Sequence, residues 1–113
     1  MSIEIDNVLP GLDLNVNLIK NPASTFFGRV SGTSMINAGI DDGDLLIIDK
    51  ALDYKTNALA VCCINGDFTL KRIEIKQGQV FLMPANDHFN PILVKEDDVF
   101  TIWGIVTYII KKP

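Results

Sequence analysis

The chain has 113 residues, 48% of them hydrophobic and 21% charged, which fits one globular domain with a modest core and excludes a disordered tail. A formal net charge of −4 argues against direct nucleic-acid binding, which needs clustered Lys and Arg. No run approaches the ~20 apolar residues needed to cross a bilayer, and Met1-Ser2-Ile3-Glu4-Ile5-Asp6 lacks the basic and apolar regions of a secretory signal. The expected setting is therefore the cytoplasm, away from membranes. Cys62 and Cys63 are the only cysteines. Neighbours on a strand point to opposite faces, so they read as small apolar residues in a reducing compartment rather than as a disulfide.

Along the chain, Met1 to about Pro10 is polar and punctuated by Pro and Gly. It reads as an arm (residues 1–11) ahead of a single domain (residues 12–113). Asp13 to Ile19 has mixed periodicity and fits a short helix or irregular chain, broken at Asn21-Pro22. Thr25 to Val30 is aromatic and β-branched and predicts a strand. Gly32 permits a tight turn, Ser34 to Ala38 is long enough for one helical turn, and Gly39 stops it. Asp41-Asp42-Gly43-Asp44 is a turn before the buried strand Leu45–Asp49. Strands at Ala58–Ile64 and Asp67–Ile75 flank Asn65-Gly66, the strongest hairpin signal present, because a type I′ turn needs positive φ at both central residues. Further strands are predicted at Gln79–Met83, Ile92–Val94 and Phe100–Ile110, with a loop from Pro84 to Pro91. Short strands separated by regular turns predict a mainly β domain with one short helical turn.

Two blocks carry candidate chemistry. Ser34 sits in Ser31-Gly32-Thr33-Ser34-Met35, and Lys71 sits in Phe68-Thr69-Leu70-Lys71-Arg72. A serine hydroxyl needs a base to become a nucleophile. A lysine serves if burial keeps its amine neutral. Strand alternation places Lys71 and Arg72 on opposite faces, so one can enter a cleft while the other meets solvent. The N–H groups of Ser34 and Met35, at the start of a short helical turn, could hold an oxyanion. The pattern is acyl transfer. The plainer reading makes Ser34 a turn residue or N-cap and Lys71 a solvated strand charge.

The remaining candidates read as structural. His88 is the only histidine; spacing alone leaves a Ser-His-Asp triad open, but its Asn- and Pro-rich surroundings suit a loop. A Cys62 or Cys63 nucleophile has no partner beyond His88. Asp42, Asp44 and Asp49 match no EF-hand spacing and read as turn and cap residues. Met35, Met83 and Trp103 read as core.

Several blocks together resemble the LexA/UmuD superfamily of self-cleaving Ser–Lys proteases. They are Ser31 to Met35, Gly39-Ile40-Asp41-Asp42-Gly43-Asp44-Leu45-Leu46-Ile47, Asn65 to Arg72, Leu82-Met83-Pro84-Ala85-Asn86 and Trp103-Gly104-Ile105-Val106. Leu12-Asp13-Leu14-Asn15 and Asn21 to Phe27 are similar to the UmuD branch. The resemblance runs from about Leu12 to Ile110. It implies a compact β domain, Ser34 as nucleophile, Lys71 as general base and no cofactor or metal. It further implies SOS mutagenesis: a homodimer whose arm is cleaved under the stimulus of RecA–single-stranded DNA filaments, and which then joins a UmuC-like Y-family polymerase in translesion synthesis. Family members cleave an Ala-Gly or Cys-Gly bond upstream of the serine, and this chain has neither before Ser34. It is thus expected to correspond to the shortened form, whether processed, trimmed or encoded short. The alternative is the dimerisation and self-cleavage domain of a LexA-type or phage-type repressor. A signal-peptidase-like enzyme shares the Ser–Lys idea but lacks support without an anchor segment.

Overall fold

The computed structural model of the protein describes residues 2–6 and 19–113. Among these residues there are eight strands: β1 (Ser2–Asp6), β2 (Thr25–Ser31), β3 (Leu45–Asp49), β4 (Leu59–Ile64), β5 (Asp67–Lys76), β6 (Gln79–Met83), β7 (Ile92–Leu93) and β8 (Phe100–Ile110). The only helical pieces among them are 3-10 turns at Pro22–Ser24 and Ile36–Ala38, so the mainly β expectation holds. Within the segment read as an arm, β1 pairs along its length with β2. The stretch from Asp13, read as a short helix or irregular chain, lies outside the described residues as far as Leu18.

Every pairing is antiparallel. The strand order is β1-β2-β3-β8-β4-β5-β6-β7, and β1 also meets β5 through Ser2 and Thr69. Six strands therefore close into a ring, and β6 and β7 extend it from the far half of β5. Two hairpins are tight for a local reason. Asn65 and Gly66 take φ of 50° and 88°, and Gln77 and Gly78 take 51° and 75°, the left-handed pair that matches strand twist.

Alternation along β4 and β5 feeds two cores. Val61 and Leu70 join Val30, Met35, Ile40, Leu46 and Ile48 on one face. Ala60, Cys62, Ile73 and Leu82 pack on the other. With both faces covered, β4 reads as the unbroken apolar run Leu59-Ala60-Val61-Cys62-Cys63-Ile64. Lys71 lies on β5 directly opposite Ala60, so it enters an apolar region from a strand held on both sides.

Candidate active site

Ser34 follows β2 on a loop braced from two sides. On one side, Gly32 (φ 103°) donates its N–H to Asp42 Oδ1 at 2.8 Å. The turn carrying Asp42 is itself joined to β2, with Val30 N–H to Asp44 O at 2.9 Å and Gly43 N–H to Val30 O at 2.8 Å. On the other side comes the Pro84–Pro91 loop. Ala85 N–H donates to Ser34 O at 2.8 Å, Asn37 N–H donates to Ala85 O at 2.6 Å, and Asn86 Nδ2 donates to Thr33 O at 2.8 Å. Met35 is fully buried beneath the loop, and the short 3-10 turn that follows ends at Gly39 with φ 77°, as anticipated.

Lys71 is 3% exposed and Ser34 0%, while Arg72 is exposed. Lys71 Nζ lies 2.9 Å from Ser34 Oγ, 3.0 Å from Thr69 Oγ1 and 3.1 Å from Leu70 O. Among the described residues no carboxylate forms an ion pair with it. Burial pushes its pKa below the ordinary lysine value of 10.5. Three partners suit the neutral amine: its lone pair accepts the Ser34 hydroxyl proton, and its two N–H bonds reach Thr69 Oγ1 and the Leu70 carbonyl. They suit the ammonium equally, with three donors to three oxygens. Among the described residues, a proton passing from Ser34 to Lys71 would leave each of these three oxygens with a donor. Among the described residues no oxygen accepts a hydrogen bond from the Ser34 or Met35 N–H.

The other candidates fall outside this centre. His88 is exposed and donates its backbone N–H to Asn86 Oδ1 at 3.0 Å; the partner of Ser34 Oγ is Lys71. Asp42, Asp44 and Asp49 accept the N–H groups of Gly32, Asp41 and Ala51, as turn residues do. Cys62 is buried and Cys63 half-buried, both as free thiols. Burial pushes the Cys62 thiol up to about 12, opposed by the charge of Lys71, so it stays protonated. Met35 is core, and Trp103 packs edge-on against Phe26 and Phe68 at 5.1 and 5.8 Å between centroids. The hollow lined by Lys20, Thr25, Asp49, Leu52 and Ile105 to Tyr108 shares no residue with the centre. Sequence reasoning missed Thr69 and Asn86. The signal for Thr69 was available, because two residues before Lys71 on a strand is the same face. Asn86 arrives from a distant loop; it stood in the Leu82–Asn86 block of the resemblance without a role assigned to it.

A closed β ring thus holds a buried serine beside a buried lysine, and the family match makes the domain one of the serine-peptidase class. The chain belongs to the Peptidase S24-like family, whose model matches residues 2–107, as a UmuD-like member of the LexA/UmuD group. It is 37% identical over 98 residues to protein MucA of Salmonella typhimurium, covering 86% of this chain and 66% of MucA. It is 39% identical over 101 residues to protein SamA of Salmonella typhimurium, covering 89% and 69%. Against the LexA repressor of Clostridium novyi it is 34% identical over 97 residues, covering 86% of this chain and 48% of the repressor. The chain thus spans roughly two thirds of MucA and about half of that LexA.

Proposed function

We propose that Ser34 and Lys71 form a Ser–Lys dyad that cleaves a peptide bond. The observation that carries this is the 2.9 Å contact between Lys71 Nζ and Ser34 Oγ in a site that keeps the amine below its ordinary pKa. Ser34 Oγ attacks the scissile carbonyl and its proton passes to Lys71. The oxyanion is held by the N–H groups of Ser34 and Met35. Lys71 returns the proton to the leaving amine and then activates a water that releases the acyl group. None of these steps calls for a cofactor or metal.

In its biological role the domain acts as a UmuD-like SOS mutagenesis protein: a cytoplasmic homodimer, self-cleaved under the stimulus of a RecA–single-stranded DNA filament. In processed form it serves a UmuC-like Y-family polymerase in translesion synthesis after DNA damage. The similarity to MucA and SamA supports this reading. The arm boundary expected near residue 12 belongs to this reading, with β1 of that arm paired into the ring. The 34% identity to a LexA repressor favours, as a second reading, a repressor's dimerisation and self-cleavage domain.

The dyad is tested by cleavage in trans. The chain is mixed with an uncleaved relative whose own serine is replaced, and product is followed against pH. Cleavage should rise with pH to a plateau reached below the ordinary lysine range. Ser34→Ala and Lys71→Ala should each lower it by on the order of a thousandfold or more. Cleavage that survives either change refutes the dyad. Stimulation of a Y-family polymerase across a lesion by the purified chain separates the mutagenesis reading from the repressor reading.

A further inference from the structure

The Pro84–Pro91 loop contributes nothing to the proton path, yet it grips the nucleophile loop at two successive carbonyls. Asn86 Nδ2 donates to Thr33 O, and Ala85 N–H donates to Ser34 O, both at 2.8 Å. The peptide bonds here are trans, and in a trans peptide the N–H points opposite to the C=O. Pinning the Thr33 carbonyl therefore aims the Ser34 N–H away from the clamp, and pinning the Ser34 carbonyl does the same for the Met35 N–H. These are the two amides the proposed chemistry needs for the oxyanion. Asn86 is also tied from behind, because its Oδ1 accepts the His88 N–H at 3.0 Å, so its amide is held with the NH2 group facing Thr33. Ala85 is tied back as well, through Asn37 N–H to its carbonyl.

We infer that Asn86 is a positioning residue for the oxyanion site, acting through the Thr33–Ser34 peptide. The inference rests on the Ser34–Lys71 reading above. It predicts a specific kinetic signature. Loss of the clamp lets the peptide rotate, so transition-state stabilisation falls, while Lys71 keeps its partners and its proton affinity.

The test uses a small fluorophosphonate, which needs no peptide substrate. Ser34 Oγ bonds to phosphorus, the P–F bond breaks, fluoride leaves and the serine proton passes to Lys71, while the phosphoryl oxygen occupies the oxyanion site. Inactivation is followed by intact mass across pH for the parent, Asn86→Ala and Asn86→Asp. The Asp variant is nearly isosteric and keeps the acceptor for His88 N–H, so it preserves the loop should the Ala variant fold poorly. Melting temperature is recorded for each. The expected result is a plateau rate lower by about tenfold to a hundredfold in both variants, with the pH midpoint of Asn86→Ala unmoved. A plateau within twofold of the parent in folded Asn86→Asp overturns the inference. So does a loss in Asn86→Ala that comes from a shifted midpoint with the plateau preserved, since that assigns the effect to Lys71. A parent that fails to react at Ser34 at any pH removes the dyad reading itself, and the positioning role with it.

Discussion

At the scale of single residues, the centre rests on one lysine whose burial works against the fold. A depressed lysine pKa means that the unfolded chain binds more protons than the native one between the folded value and 10.5. Native stability therefore rises with pH through that window and levels off above it. Lys71→Met lacks this slope. The stability of the parent relative to Lys71→Met should accordingly climb as pH is raised toward 10.5 and then stay flat, as read by urea titration at a series of pH values. A constant difference would mean that Lys71 titrates normally in the native state. Ser34 and Lys71 were legible in the sequence because each sits in a block with local signals, a Gly-permitted turn and an apolar strand. Their contact, at 2.9 Å, was expected from the family resemblance and not from any local signal. It depends on β5 and the loop after β2 meeting across the ring, which only the assembled strands decide.

At the scale of elements, β8 shows what pairing demands of a strand. Its register against β4 skips Trp103, since Val61 pairs with Gly104 and Cys62 with Ile102. Its register against β3 skips Thr107, since Ile47 pairs with Tyr108 and Ile48 with Val106. Thr107 Oγ1 donates to Ile47 O at 3.3 Å, which ties the second bulge to its neighbour. Bulges bend a strand, and here one strand is bent to serve two partners. Between the bulges, Gly104 has no room for a side chain: a Cβ there would lie 2.5 Å from Ile48 Cγ2. Ile48 is fully buried and cannot swing clear. Gly104→Ala should cost about 1–3 kcal/mol by overpacking, and less when combined with Ile48→Ala, which removes the clashing methyl. A double-mutant cycle by thermal unfolding measures that coupling; strict additivity would place the strain elsewhere. The bulges were invisible in the sequence, where Phe100–Ile110 reads as a plain strand, because a bulge is a property of two strands at once. The Asn65-Gly66 turn was legible since its residue types demand it. The Gln77-Gly78 turn was not, because Gln rarely takes positive φ and does so here only with β5 and β6 paired on either side.

At the scale of the whole molecule, the number and type of strands could be read from the chain, but their order could not. β8, last in sequence, lies between β3 and β4, so the ring closes only when its final strand is placed. One corner of that ring is held by a carboxylate. Asp49, at the end of β3 and 4% exposed, accepts Asn21 Nδ2 at 2.7 Å, Ser24 Oγ at 2.8 Å and Ala51 N–H at 2.8 Å. It thereby joins the lead-in to β2 to the exit from β3. Burial alone would raise its pKa, but hydrogen bonds from Asn21, Ala51 and Ser24 outweigh it and hold the carboxyl below the usual value of 3.8. A lowered carboxylate pKa contributes stability that is present above the unfolded value and is lost as pH falls through the folded one. Asp49→Asn keeps the shape and removes the charge, and it sets an amide NH2 against that of Asn21. At neutral pH it should destabilise the fold by about 1–3 kcal/mol. Below the folded pKa the parent carboxyl is protonated as well, so the gap between parent and variant should close. Denaturant titrations at neutral pH and at successively lower pH decide the matter. A gap that persists into strong acid would show that Asp49 acts by packing rather than by charge, and that the acid sensitivity of the ring originates elsewhere.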